Sequence, residues 1–171
     1  GREALHWVVP RQVECGIDVI NNGEQQRESF VLYLRHRLSG LGDTSQRTSW
    51  EDIDRYPEFK ADLKAQTATK EAVTNTDFLP AAIGEVRYLD ASAVEGECAD
   101  FRAVLPSVEG RYVEPFFTAP SPGIIGSIVQ NRHYDTEDAY LAALGAALRI
   151  EYQAIVASGF VLQVDCPDLA L

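Results

Sequence analysis

The chain has 171 residues, of which 46% are hydrophobic and 24% are charged, the composition of an ordinary globular protein with one domain. Its 26 Asp and Glu residues outnumber its 15 Lys and Arg residues, and the formal charge of −11 disfavours nucleic acid as a partner, because acidic surfaces repel phosphate backbones. The sequence contains neither an uninterrupted apolar run of about 20 residues nor a secretory signal, which predicts a cytoplasmic protein without a membrane partner.

The cysteines and histidines favour neither a disulfide framework nor a metal site within the chain. Cys15, Cys98 and Cys166 are far apart and odd in number, so we expect them to be reduced. Cys166 is a candidate nucleophile, but no His is near it in sequence, and a free Cys is more often a buried packing residue. The three His residues form no closely spaced pair of zinc ligands. The chain contains no Met, which indicates a truncated sequence.

Helical and strand-like patterns alternate along the first forty residues. Apolar residues at helical spacing predict a helix over residues 3–15, with a kink at Pro10, which has no backbone N–H. A short strand over residues 17–20 follows and ends in a turn-prone Asn-Asn-Gly. Residues 30–38 carry apolar side chains at positions i, i+4 and i+8, which predicts a second helix before a Ser-Gly pair.

Residues 41–79 are polar and irregular, apart from a short amphipathic helix predicted over residues 58–66. A connection of this length inside a compact domain is usually a functional lid or a disordered stretch. We therefore predict that residues 41–79 form a lid-like loop that closes over a binding site.

The remainder of the chain continues the alternation. Strands are predicted over residues 82–89, 112–118 and 160–164, and helices over residues 93–105 and 136–158. Asp135 or Thr136 is expected to cap the last helix, and Gly159 to end it. Apolar strands that alternate with helices indicate the α/β class, with a parallel sheet covered on both faces. The whole chain, residues 1–171, is expected to form one domain.

An open sheet and a closed eight-stranded barrel are the two α/β architectures to compare. An open nucleotide-binding sheet needs a glycine-rich phosphate loop, and neither G-x-G-x-x-G nor G-x-x-x-x-G-K-[ST] occurs here. Polar residues cluster where the predicted strands end, as they do at the mouth of a barrel. We therefore predict a (β/α)8 TIM barrel. Because a complete barrel takes about 250 residues, this chain would carry about half of the strands.

Candidate binding residues lie where the predicted strands end. Glu24 follows the strand over residues 17–20, where it is either a substrate-binding or basic group, or an ordinary acid in the first turn of a helix. Asp165 follows the strand over residues 160–164, and a carboxylate in that position is costly unless something binds it. Ser121 lies in Pro-Ser-Pro-Gly, a tight turn suited to line a pocket, but it lacks the context of an activated serine.

Several stretches resemble one family. GIDVINNGEQQRESFVLYLRHRLSG resembles the region after an early barrel strand in the cobalamin-independent methionine synthase superfamily, whose shorter single-barrel members carry NDGEQ. TAPSPGII and NRHYDTEDAYLAALGAALRIEYQAIVASGFVLQVDCPDLA resemble later parts of the same members, in the same order. The resemblance covers nearly the whole chain, and the combination of GEQ with QVDCPDLA is specific.

The resemblance implies a (β/α)8 barrel enzyme that transfers a methyl or other alkyl group to a thiol, as in methionine biosynthesis, with zinc holding the thiol as thiolate. By position, Glu24 and Asp165 match the two carboxylates that hold the amino group of homocysteine or methionine in the methionine synthases. Asn22, which replaces an Asp of the shorter members, and Ser121 are the other two candidates for substrate binding. The family's zinc ligands match positions beyond residue 171, so no metal ligand is assigned within this chain.

The resemblance leaves the substrate open, because Cys166 stands where the methionine synthases have Glu. The implied partners are a small thiol substrate and a methyl or alkyl donor. One alternative function is a non-catalytic half-barrel that binds a ligand and assembles with itself, as a homo-oligomer, or with a second polypeptide. Another alternative is a zinc-free barrel lyase or decarboxylase of the uroporphyrinogen decarboxylase type.

Overall fold

The computed structural model of the chain describes residues 1–45, 51–67 and 79–170. The α-helices within these residues are α1 Arg2–Glu14, α2 Glu51–Asp54, α3 Pro57–Thr67, α4 Ser92–Val104, α5 Pro122–Ile128 and α6 Glu137–Ala157. The strands are β1 Val19–Ile20, β2 Leu41–Ser45, β3 Leu79–Ala82, β4 Glu114–Pro120, β5 Gln130–Asn131 and β6 Val161–Asp165. Short 3₁₀ helices lie at Leu32–His36, Leu105–Val108 and Pro167–Ala170.

The strands form two three-stranded sheets. In the first sheet, β4 lies between β1 and β6, and both pairings are parallel, with Ile20 opposite Pro115 and Pro120 opposite Asp165. In the second sheet, β3 pairs antiparallel with β2 and parallel with β5. The fold is therefore a small α/β domain with one parallel and one mixed sheet.

The prediction of a TIM barrel is wrong. Within the described residues the strands are divided between two small sheets, and no barrel closes. The prediction depended on polar residues at strand ends, but an open parallel sheet also places its polar loops at the carboxyl ends of its strands. That pattern therefore identifies the edge of a sheet where a ligand binds, and it does not distinguish an open sheet from a closed one.

The predicted helices at the start and end of the chain are confirmed as α1 and α6. The helix α1 runs through Pro10. The helix α6 begins where Thr136 Oγ1 accepts a hydrogen bond from the backbone N of Ala139 at 3.1 Å, and it is followed by Gly159 with a φ of +82°. The helix predicted over residues 93–105 is confirmed as α4. No helix in the described part of the chain is both long and apolar enough to cross a membrane.

The helix predicted over residues 30–38 is wrong, because this segment contains only the 3₁₀ helix Leu32–His36. Ser29 Oγ accepts a hydrogen bond from the backbone N of Leu32 at 2.8 Å and so starts the turn. Leu38 then forms an isolated antiparallel bridge with Tyr88. Tertiary pairing with residues fifty positions along the chain therefore overrides the helical spacing of the apolar side chains.

The irregular connection predicted over residues 41–79 is wrong for the part that is described, which contains β2, α2, α3 and the first residue of β3. The amphipathic helix expected over residues 58–66 is confirmed as α3. Residues 46–50 and 68–78 lie outside the described residues, so closure of a lid stays a prediction. The strand expected over residues 82–89 is displaced, since β3 ends at Ala82.

The helix α6 joins two hydrophobic clusters. Leu144 and Leu148 pack in one cluster with residues of α5 and of the segment 31–38, whereas Ile155 packs in the other with α1, α4 and the first sheet. In the second cluster the rings of Phe101 and Phe160 stack with their centroids 5.1 Å apart. The helix thereby anchors the first sheet, whose strand ends carry the site described next.

Candidate functional site

The carboxyl ends of β1, β4 and β6 meet at one edge of the first sheet, because all three strands run parallel. Asn22 and Glu24 lie in the loop after β1, Ser121 directly follows β4, and Asp165 is the last residue of β6. The four candidate residues taken from the sequence are therefore brought to the same edge. Whether they bind a substrate stays a proposal.

Glu24 is held in an unusual backbone conformation. Its φ is +54°, and the preceding Gly23 has a φ of +62°, so two consecutive residues lie in the left-handed region, which is unfavourable for a residue with a Cβ. Asn22 Oδ1 accepts a hydrogen bond from the backbone N of Glu24 at 3.0 Å, and Thr118 Oγ1 donates to Glu24 Oε1 at 2.6 Å. Hydrogen bonds to the backbone N and to the carboxylate thus hold Glu24 in this strained conformation, as is common in functional loops.

The loop after β1 also concentrates unsatisfied polar atoms. Within the described part of the chain, Asn22 Nδ2 and Gln26 Oε1 are buried without a hydrogen-bond partner, and Arg27 Nη2, which makes no hydrogen bond either, lies 3.1 Å from Glu97 Oε2 in an ion pair. Asn22 is fully buried, with an exposed fraction of 0%. Since buried polar groups in proteins nearly always have partners, two such atoms within five residues are typical of a strained or ligand-binding loop.

Asp165 shares a face of the first sheet with Thr118. Thr118 lies opposite Gln163, and Pro120 lies opposite Asp165, so the side chains of Thr118, Gln163 and Asp165 project to the same face. Gln163 Nε2 donates a hydrogen bond to Asp165 Oδ1 at 2.9 Å. From strand spacing and rise, the backbone of Thr118 is about 8 Å from that of Asp165. The carboxylate of Glu24 is bonded to the Thr118 hydroxyl, so it lies on the same face of the sheet as Asp165.

Ser121 connects the ends of β4 and β6. Its backbone N donates to the carbonyl oxygen of Asp165 at 2.9 Å, and its Oγ donates to Asp168 Oδ1 at 2.7 Å. The same Oγ accepts a hydrogen bond from the backbone N of Ile124 at 3.1 Å and so caps α5. One lone pair of this buried hydroxyl remains for a ligand. Ser121 thus holds the edge of the site together.

The site is acidic and open. Among the described residues, Glu24, Asp165 and Asp168 form no ion pair, and Glu24 and Asp165 each have one carboxylate oxygen without a hydrogen-bond partner. On the same face of the sheet, Val19 is 47% exposed and Val161 is 43% exposed. An accessible group of carboxylates without a cation partner favours a ligand that carries a positive charge and hydrogen-bond donors.

The zinc ion implied by the resemblance does not fit the described residues. Within them, no three His, Cys, Asp or Glu side chains lie close enough together to hold a metal ion. Cys166 Sγ instead makes a weak 3.6 Å hydrogen bond to the carbonyl oxygen of Val164. No chemical step is therefore assigned to a metal in this part of the chain.

A buried ionic cluster lies behind the site, between the first sheet and the helices α4 and α6. We define it as Arg27, Tyr33, Arg37, Tyr88, Glu97 and Glu151. Each arginine contacts both glutamates, and the hydroxyls of Tyr33 and Tyr88 each donate to Glu151 at 2.5 Å. Two guanidinium groups and two carboxylates balance, so the cluster has no net charge.

The phenols of the buried ionic cluster are held neutral. Burial raises the pKa of Tyr33 and of Tyr88 well above the usual value, and the negative charge of Glu151 raises both further. For Arg27, burial lowers the pKa, but the opposing effects of Tyr33, Glu97 and Glu151 are larger together, so the pKa is raised overall. Against the effect of burial, the pKa of Arg37 is likewise raised by Glu97 and Glu151, so both arginines stay ionised at neutral pH.

These phenols predict a loss of stability in alkali. In the unfolded chain each tyrosine releases its proton near pH 10, whereas Tyr33 and Tyr88 keep theirs in the folded protein, so the free energy of unfolding falls above about pH 10. Each group contributes a slope of about 1.4 kcal/mol per pH unit. Urea unfolding between pH 8 and pH 11 measures this slope. Tyr88→Phe is expected to make the slope shallower, and Tyr56→Phe, which changes a residue 65% exposed outside the cluster, is the control.

The buried ionic cluster was not predicted from the sequence. Glu151 lies in the apolar stripe of α6 between Leu148 and Ile155, and Glu97 lies in the stripe of α4 between Val94 and Phe101. A charged residue at a buried helical position was the available signal, because such a residue needs a partner of opposite charge. The identity of the partners was not readable, since Arg27 and Glu151 are far apart in sequence.

No family profile matches this sequence, and a comparison with curated proteins found no match. A solved structure, described as a B12-independent methionine synthase from Shewanella sp. W3-18-1 in complex with selenomethionine, matches with a TM-score of 0.70 at 22% identity. The match covers 97% of this chain and 41% of that chain. The two proteins share a fold over this stretch. At this identity the likeness concerns the fold alone, and the chain spans less than half the length of that protein.

Proposed function

We propose that this chain forms the amine-binding part of a methionine-synthase-like enzyme that transfers a methyl or other alkyl group to a thiol such as homocysteine. Glu24 and Asp165 bind the ammonium group of the substrate, and Asn22 and Ser121 complete the polar edge. The observation that carries the proposal is the placement of two carboxylates, which form no ion pair with any described residue, after β1 and at the end of β6, on either side of β4.

The chemistry of an amino acid ligand fits this edge. An ammonium group has three N–H donors and one positive charge, and charge-assisted hydrogen bonds to carboxylates are the strong class of such bonds. Glu24 and Asp165 each offer one carboxylate oxygen that accepts no hydrogen bond from a described residue. The solved structure with the shared fold is itself described as a complex with selenomethionine, an amino acid that carries this ammonium group.

The two carboxylates orient the substrate and take no part in bond making. In the transfer, the thiol sulfur forms a bond to the alkyl carbon, the bond from that carbon to its donor breaks with its electron pair going to the donor, and the thiol proton passes to water. Holding the ammonium group at one end of the amino acid fixes the direction in which the thiol points, which lowers the entropy lost on reaching the reactive geometry. The strained loop at Glu24 keeps one of the two contacts preformed.

Calorimetric titration with L-methionine tests the proposal. We expect binding by the unaltered chain, and Glu24→Gln and Asp165→Asn are each expected to weaken it by about tenfold or more, because each removes a charged acceptor. N-acetyl-L-methionine lacks the ammonium group. It is therefore expected to bind the unaltered chain no better than it binds these variants.

Glu114→Gln is the matched control, because it removes an exposed carboxylate from β4 at the end of the same sheet that lies away from the site. It is expected to leave the affinity unchanged. Equal affinity for L-methionine and its N-acetyl form, or unchanged binding by both site variants, would overturn the proposal, and so would the absence of binding by the unaltered chain.

A further inference from the structure

We propose that Arg27 is a positioning residue, which fixes the carboxylate of Glu24 through Thr118 and so connects the site to the buried ionic cluster. This inference rests on the proposed function, in which Glu24 binds the ligand. The backbone N of Arg27 donates to the carbonyl oxygen of Glu24 at 3.0 Å, and the inference assigns a separate role to its guanidinium, which acts through Thr118.

Arg27 holds the backbone of β4 at the site. Its Nη1 donates to the carbonyl oxygen of Thr118 at 2.9 Å. The strand β1 pairs with β4 at Glu114 and Pro115. The guanidinium of Arg27 therefore binds β4 three residues beyond the last residue that pairs with β1. Because the side chain of Arg27 is only 1% exposed, water does not compete for this contact.

Thr118 links Arg27 to Glu24 through two hydrogen bonds. Its backbone carbonyl accepts from Arg27, while its Oγ1 donates to Glu24 Oε1 at 2.6 Å. Thr118 itself is 6% exposed and is paired with β6 on the other side, so it has little freedom to move independently. A change in the position of the guanidinium therefore moves the group that orients Glu24.

The cluster in turn fixes Arg27. Its Nε donates to Glu97 Oε2 at 3.2 Å, its Nη2 lies 3.5 Å from Glu151 Oε1, and its guanidinium lies 4.4 Å from the ring centroid of Tyr33. Contacts on three sides leave the planar group one orientation. The planar fork of an arginine can satisfy such an arrangement, whereas the single ammonium of a lysine cannot.

Arg37 supplies a matched comparison within the same cluster. It also contacts Glu97, Glu151 and the ring of Tyr33, but its contacts do not include Thr118. Arg27→Lys and Arg37→Lys both keep the charge of the cluster and both remove one guanidinium. They differ in the contact to β4, which is the contact that the inference requires.

The test is a double-mutant cycle on the affinity for L-methionine. Arg27→Lys and Thr118→Val are each expected to weaken binding by about tenfold, and the double variant no more than Thr118→Val alone, because both changes break the same path. Arg37→Lys is expected to stay within about threefold of the unaltered chain. Additive losses in the double variant, or equal losses in the two lysine variants, would overturn the inference.

Hydrogen exchange without ligand gives a second readout, which separates this inference from the proposed function. Amides of residues 22–27 are expected to exchange about tenfold faster in Arg27→Lys than in Arg37→Lys, because the loop loses its anchor through Thr118. If Glu24→Gln and Asp165→Asn both leave L-methionine binding intact, the proposed function fails, and the exchange experiment still decides whether Arg27 positions Glu24. Equal exchange in the two variants would contradict the inference.

Discussion

Replacing Glu97 by Gln is expected to lower the free energy of unfolding by about 3 kcal/mol, because it leaves two buried guanidinium groups to share the single carboxylate of Glu151. Glu97 is 6% exposed and is bonded to both Arg27 and Arg37. The uncompensated positive charge is therefore created where water does not screen it. Urea unfolding followed by circular dichroism at pH 7 measures the change.

The control for this prediction lies two residues away on the same helix. Glu95 is exposed on α4, and Glu95→Gln makes the same chemical change on the solvent side. It is expected to change the free energy of unfolding by less than about 0.5 kcal/mol. Similar losses for the two variants would show that the buried ionic cluster does not stabilise the fold through charge pairing.

Replacing Gly40 by Ala is expected to destabilise the fold by about 2–4 kcal/mol, because it adds a clash to an unfavourable backbone conformation. Gly40 has a φ of +75°, and a Cβ at this position would lie 2.5 Å from the carbonyl oxygen of Glu85. The carbonyl of Gly40 also accepts hydrogen bonds from the backbone N atoms of Ile83 and Gly84, so the two segments cannot move apart freely. Thermal and urea unfolding measure the loss.

A substitution at Gly110 separates the cost of the backbone conformation from the cost of the clash. Its φ is +73°, but an added Cβ would meet no atom within 4 Å. Gly110→Ala therefore carries only the conformational penalty and is expected to lower the free energy of unfolding by about 1 kcal/mol. If Gly40→Ala were no more destabilising than Gly110→Ala, the close approach of the two backbones at Gly40 would be of no energetic importance.

Long, periodic elements were predictable from the sequence, and short ones were not. The helix α6 has a cap at Thr136, a regular apolar stripe and a terminal Gly159, all of which act within one or two turns. The two-residue strands β1 and β5 carry too little pattern to be bounded in this way. The segment 30–38 had helical spacing, but pairing of Leu38 with Tyr88 prevented an α-helix.

The candidate site was partly predictable. Glu24 and Asp165 were identified because each follows a strand pattern, and the structure brings them to one edge of the first sheet. Arg27 was not singled out as a member of the site, since an arginine is not unusual where it stands. Its importance comes from the hydrogen bonds from Arg27 to Thr118 and from Thr118 to Glu24, which join residues more than ninety positions apart.

By itself, the sequence determined the α/β class, the ends of α6 and the acidic residues at strand ends, because caps, periodicity and turn chemistry act between near neighbours. Only the tertiary structure decided that the strands form two sheets and that Glu151 pairs with arginines and tyrosines. Those arrangements depend on contacts such as that between Tyr33 and Glu151, which are 118 positions apart. A pattern read along the chain records which side chains need partners, and the packing of the elements selects the partners.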